Sequence, residues 1–152
     1  MTIYADTSWW IAYKITTDAG HSAAIRLFDT WPSAKVVWTP WQRVEVFNSF
    51  RQLERAEFIA PRKPRQLIRI LEQEVQLGYW PHVEFSWINA VRTACELSAE
   101  FGLSVPCRGM DLFHVAIATE VGADALLTFD AEQKSFAEAA GIRVLSLPAS
   151  RQ

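Results

Sequence analysis

The stretch GADALLTFDAEQKSFAEAAGIRVLSL, Gly122 to Leu147, decides the fold class. A short apolar run, Ala125–Phe129, meets an aspartate, then a helix-like segment, Ala131–Ala140, then a glycine and a second apolar run, Ile142–Leu147. Helices commonly stop at a glycine in the left-handed conformation, so Gly141 reads as a helix-to-strand joint. The same joint recurs at Gly78 before YWPHVEF, at Gly102 before LSV and at Gly122 before ADALLTF. Repeated joints of this kind predict an alternating α/β chain with a mainly parallel sheet.

Outward from this stretch, Thr2–Ala5 reads as a buried first strand and Ser8–Thr17 as a helix opened by an N-cap serine. Asp18–Trp31 is a second helix closed by Pro32, and Lys35–Thr39 a second strand with a β-branched centre. Pro40 suits the first turn of a long helix reaching about Ala60, and Pro61 and Pro64 break the pattern before another helix to about Leu77. His82–Phe85 is a strand, Ser86–Phe101 and Gly109–Val121 are helices, and Ala125–Phe129 and Ile142–Leu147 complete a sheet of about five strands. With no linker, repeat or low-complexity run, residues 1–152 are expected to form a single domain.

The chain has 152 residues, 50% of them apolar, enough to bury a core without disulfides or a structural metal. Its formal charge of −2 disfavours a broad nucleic-acid footprint, but the total hides a split. Arg51, Arg55, Arg62, Lys63, Arg65 and Arg69 against Glu54 and Glu57 give one stretch +4, leaving −6 for the rest. Charge segregated in this way fits a polyanion path on one surface with carboxylates kept for chemistry elsewhere. No apolar run is long enough for a membrane span, and the N-terminus lacks a basic, then apolar, leader, so a soluble, cytoplasmic protein is expected. Cys95 and Cys107 lack C-x-x-C spacing and read as small buried residues in a reducing compartment.

In an open parallel sheet, ligands bind at the carboxyl ends of the strands. Asp6 ends the first strand, Asp130 follows the strand ALLTF, Asp111 lies in the first turn of its helix, and Glu45 sits one turn into the helix after the second strand. Four acids from four junctions thus point to one edge. Two carboxylates about 4 Å apart repel by roughly 4 kcal/mol at an effective dielectric near 20, so such a group needs a cation. Oxygen ligands without His or Cys suit Mg²⁺ or Mn²⁺, whose bound water can act as a nucleophile on a phosphodiester. The same acids could equally be caps and surface charges, and topology alone does not choose.

IYADTSWW (Ile3–Trp10), VEVFNSF (Val44–Phe50), GMDLFHVAIA (Gly109–Ala118) and LLTFDAEQKSFAEAAGI (Leu126–Ile142) resemble, in order and context, the four acidic motifs of the PIN domain. The length and layout resemble the VapC-type toxins of bacterial toxin–antitoxin pairs. The resemblance implies a three-layer α/β/α fold and a Mg²⁺- or Mn²⁺-dependent endoribonuclease with catalytic Asp6, Glu45, Asp111 and Asp130. It makes Asp6, Asp111 and Asp130 the metal ligands, and has Glu45 orient a water or bind a second ion. Ser8 and Thr128 match hydroxyl positions beside the first and last acids, with an N-cap serine and a plain strand residue as the alternatives. Asn48 shares a helix face with Glu45, and His114 reads as a core or supporting histidine rather than a phosphate ligand.

The implied partners are an RNA substrate, a cognate antitoxin and a second copy of the chain, with no membrane. Arg62, Lys63 and Arg65 are expected to steer RNA phosphates, the alternative being a merely solvated helix face. Of the seven tryptophans, the adjacent Trp9 and Trp10 are not expected to face inward together, leaving some to line an antitoxin groove. A non-catalytic RNA- or protein-binding module with a vestigial metal site is the competing reading. His82-Val-Glu84 with Pro106-Cys107 suggests a zinc deaminase, but Met110 stands where the second cysteine ligand belongs. No P-loop or dinucleotide fingerprint occurs.

Overall fold

The computed structural model describes residues 1–147. Strands β1 (Thr2–Ala5), β2 (Lys35–Val37) and β3 (Ala125–Leu127) form a parallel sheet in the order β2-β1-β3, with Ile3 opposite Val36 and Ala125. The two further strands expected at the edges are each a single parallel bridge, His82 to Trp38 and Val144 to Leu126. Five chain segments therefore lie side by side, but the outer two pair too briefly to be strands. At one edge Val83 N–H donates to Trp38 O at 2.8 Å, and Ser86 already caps the next helix. At the other edge Leu145 N–H donates to Leu126 O at 2.9 Å.

Helices cover both faces. On one lie α1 (Thr7–Lys14), α2 (His21–Asp29), α3 (Pro40–Arg55) and α4 (Lys63–Gln76). On the other lie α5 (Trp87–Phe101), α6 (Gly109–Glu120) and α7 (Ala131–Ala139). Strand alternation sorts the core: Ile3, Ala5, Val36 and Leu127 belong to the first side, Tyr4, Val37 and Leu126 to the second. The result is the expected three-layer α/β/α arrangement.

The helix ends adjust the sequence reading. The first helix is capped by Asp6, not Ser8: the Asp6 carboxylate accepts from Trp9 N–H at 3.0 Å, and the helix stops at Lys14 rather than Thr17. The second is shorter at both ends than Asp18–Trp31. α3 stops at Arg55 rather than near Ala60, because Glu57 turns left-handed at φ 61° and closes it. Gly78, Gly122 and Gly141 have positive φ, as expected of helix stops, whereas Gly102 does not. At Gly102 glycine is needed for space instead, since a Cβ would lie 2.5 Å from Ser98 O.

Trp9 and Trp10 are both fully buried, contrary to the expectation that one must face out. α1 is wedged between the sheet and neighbouring helices, so opposite flanks of it are both interior. Trp9 stacks on Tyr13 at 4.7 Å between centroids, while Trp10 meets Trp38 and Trp80 edge to face at 5.0 and 5.1 Å. The Trp9, Trp10 and Trp38 indole N–H groups have no oxygen or nitrogen partner among the described residues. Edge-to-face packing offers Trp10 and Trp38 ring faces in place of such partners. Cys95 is exposed on α5 and Cys107 half-buried, so neither is the core residue expected. Burial and the nearby carboxylates of Asp111 and Asp130 push the Cys107 thiol up to about 11.

Candidate active site

Asp6 and Asp130 stand just beyond β1 and β3, Glu45 lies in the second turn of the helix that follows β2, and Asp111 lies in the first turn of α6, which follows α5. Asp6, directly after β1, is 4% exposed. Its oxygens accept from Ser8 Oγ at 2.7 and 2.9 Å and from Thr128 Oγ1 at 2.8 Å. Both hydroxyls are themselves fixed by backbone: Phe129 N–H donates to Ser8 Oγ at 2.9 Å and Asp130 N–H to Thr128 Oγ1 at 3.0 Å. The loop after β3 thus clamps the carboxylate at the end of β1. Burial pushes the Asp6 carboxyl above its ordinary pKa, and His114 with the donors from Trp9, Ser8 and Thr128 offsets only part of this.

Asp130 caps α7, with Oδ1 accepting from Gln133 N–H at 2.8 Å. Its other oxygen accepts from Arg108 at 3.0 Å, and the Arg108 Nε–H donates to Asp111 Oδ2 at 2.8 Å. One guanidinium, 71% exposed, therefore bridges the two carboxylates. Buried Gln133 ties α7 to α6 by donating to Asp111 O at 3.1 Å.

Glu45, in the second turn of α3, accepts on Oε2 from Thr7 Oγ1 at 2.5 Å and from His114 Nε2. Burial raises the Glu45 pKa, but the His114 imidazole, with the Thr7 hydroxyl, more than offsets this and leaves it below the ordinary value. His114 is 2% exposed, one turn after Asp111, and its Nδ1 lies 2.8 Å from the Tyr4 hydroxyl. α3 is placed by Gln42, whose side chain accepts from Thr39 N–H at 2.6 Å and donates to Ala5 O at 2.5 Å. That second bond anchors the helix carrying Glu45 to the residue before Asp6.

Hydrogen bonds link three of the acids, Asp6 to the Asp130 backbone through Thr128 and Asp130 to Asp111 through Arg108, while Glu45 bonds to Thr7 of α1 and His114 of α6 and to none of the other acids among the described residues. Asn48 stands exposed on α3. Arg62, Lys63 and Arg65 are exposed at the opposite end of α3 from Glu45. Glu45 lies about 15 Å along the axis from the end of that helix at ~1.5 Å per residue. The sequence reading missed Arg108 altogether, and it left the partner of His114 open. The i,i+3 spacing to Asp111 was the local signal for Arg108, whereas its bond to Asp130 crosses 22 residues.

The donor set suits a hard divalent cation: carboxylate oxygens only, one of them buried at the cost of a raised pKa, and two already sharing a positive group. Among the described residues no three acidic, histidine or cysteine groups lie close enough to hold an ion as they stand. Arg108 occupies one oxygen of Asp111 and one of Asp130, so an ion held there would compete with it.

The fold and the order of the acids define a class. The chain belongs to the PIN domain family, whose profile matches residues 3–140. No curated protein matches it by sequence. Its structural neighbours are VapC toxins and VapBC and FitAB toxin–antitoxin complexes. VapC20 of Mycobacterium tuberculosis, a sarcin–ricin loop cleaving toxin, is 20% identical over 92% of this chain and 95% of its own, with a TM-score of 0.64. VapBC2 of Rickettsia felis, bound to a DNA fragment from its promoter, is 13% identical over 95% and 97%, with a TM-score of 0.67. FitAcB of Neisseria gonorrhoeae is 10% identical over 95% and 96%, with a TM-score of 0.63.

Proposed function

We propose that the chain is a Mg²⁺- or Mn²⁺-dependent endoribonuclease and the toxin of a type II toxin–antitoxin pair, acting in the cytoplasm. The observation that carries this is the linking of Asp6, Asp130 and Asp111 by Thr128 and Arg108, with Glu45 held by Thr7, the neighbour of Asp6, and by His114, one turn after Asp111. Asp6, Asp111 and Asp130 would hold the ion. When bound, it supplies an acidified water and offsets charge on the phosphorane-like transition state. Ser8 and Thr128 hold Asp6 in place, and Glu45 would orient a water or bind a second ion. Membership of the PIN family and the toxin–antitoxin neighbours support an antitoxin partner, and a homodimer is the further expectation.

Trp9, Trp10, Trp38 and Trp80 are buried and Trp31 and Trp41 partly so, leaving Trp87, 46% exposed, as the tryptophan most open to that partner. No described helix is long and apolar enough to cross a membrane. The deciding experiment is RNA cleavage by the purified chain with Mg²⁺ or Mn²⁺, beside Asp6→Asn and after EDTA. Metal-dependent cleavage that disappears in the variant is expected, and cleavage that survives both changes overturns the mechanism.

A further inference from the structure

Three buried or half-buried polar groups form a line from the core to the acidic edge: Tyr4 on β1, His114 on α6 and Glu45 on α3. A buried polar chain costs stability unless every member is satisfied. The chemistry of its two ends fixes its direction. Glu45, held below its ordinary pKa, is an acceptor, so the His114 nitrogen facing it must carry the proton. The Tyr4 phenol carries its proton at neutral pH, and its hydroxyl, 2.8 Å from Nδ1, can donate to that nitrogen. The ring is also confined sideways, with Tyr4 5.7 Å and Trp41 6.3 Å from it between centroids. Glu45 Oε2 then takes two donors, His114 and Thr7, and Oε1 is the oxygen outside these bonds.

We propose that His114 is a positioning residue: oriented by Tyr4, it fixes the Glu45 carboxylate through Nε2–H and leaves Oε1 to serve the site. This rests on the nuclease reading for its effect on rate, but not for its geometry. Removing a partner that orients a catalytic group typically costs about 10–100-fold in activity. His114→Leu is therefore expected to lower kcat by that factor with KM little changed. His114→Gln can place an amide N–H near the Nε2 position, so it is expected to recover most of the loss. Tyr4→Phe keeps the ring but removes the donor to Nδ1, and is expected to lower kcat several-fold.

The test measures kcat and KM on a short RNA for the full chain and these variants, with thermal melting, and reads the His114 tautomer by nitrogen-edited NMR. A protonated Nε2 with a bare Nδ1 in the wild type, kept in Tyr4→Phe because Glu45 still faces Nε2, supports the proposal. A protonated Nδ1 with a bare Nε2 overturns it, as does His114→Gln no better than His114→Leu when both melt like the wild type. A wild type that cleaves no RNA counts against the nuclease reading, and the tautomer then decides the positioning on its own.

Discussion

Asp6 carries opposing demands in one side chain. It starts α1 as its cap, yet burial holds its carboxyl above the ordinary pKa, so the fold disfavours the ionised form that a cation needs. Because the folded pKa exceeds the unfolded one, protonation stabilises the fold. That contribution is complete below the unfolded value of about 3.9 and is lost as pH rises through the folded value. Asp6→Asn keeps the capping oxygen, and the Ser8 and Thr128 hydroxyls can turn to meet the amide. It should therefore melt at or above the wild-type temperature at pH 7, with the gap closing toward pH 4, while divalent-ion binding is abolished. Calorimetry across pH checks both. Arg108 presents the complementary case: its bridge uses oxygens a cation needs. Arg108→Lys retains the charge but not the fork, so it should bind Mn²⁺ several-fold more tightly than wild type by titration calorimetry, and Arg108→Ala more tightly still.

At the scale of elements, local signals reached most helices and stopped at the sheet edges. Pro40 in the first turn of α3, Ser86 at the start of α5 and three glycine stops are short-range features, and each lies where the sequence reading put it, whereas Thr39, read as strand, caps α3 with Gln42. Asp6-Thr7-Ser8 offers three capping residues in a row, and the choice of Asp6 depends on Phe129 and Thr128, over 120 residues away. The places of Asp6 and Asp130 after strands, of Glu45 on the helix after β2 and of Asp111 in the first turn of its helix were legible. The bonds of Arg108 to Asp130 and of His114 to Glu45 were not, because those pairs, 22 and 69 residues apart, are set by topology. Two element-level tests follow from the geometry. Gln42→Leu strands Thr39 N–H and Ala5 O, both now bonded to a buried side chain, and should cost about 2–4 kcal/mol in urea unfolding. Glu57→Gly relieves a left-handed non-glycine residue at φ 61° and should gain about 0.5–1 kcal/mol.

Over the whole molecule, the acidic edge and the basic corner are separated by the length of α3, which makes them separable by experiment. Neutralising Arg62, Lys63 and Arg65 together should weaken RNA binding and reduce the salt slope by up to about 2, at ~0.7 for each phosphate no longer neutralised, with kcat unchanged. Fluorescence anisotropy at several salt concentrations reads this, and an unaltered slope removes the corner from the RNA path. The three-layer core explains why the surfaces can be varied this freely. Both helical layers pack on a sheet whose named strands are buried along nearly their whole length, so neither corner nor edge supports the other.

Asp6 and Asp130 each use one oxygen to start a helix and turn the other toward Thr128 or Arg108. A lineage that abandoned the chemistry would still need a capping side chain, Asp or Asn, at positions 6 and 130, whereas Glu45 caps no helix. Among descendants drifting toward inactivity, position 45 should vary more widely than positions 6 and 130, so the glutamate is the better historical marker of a working enzyme.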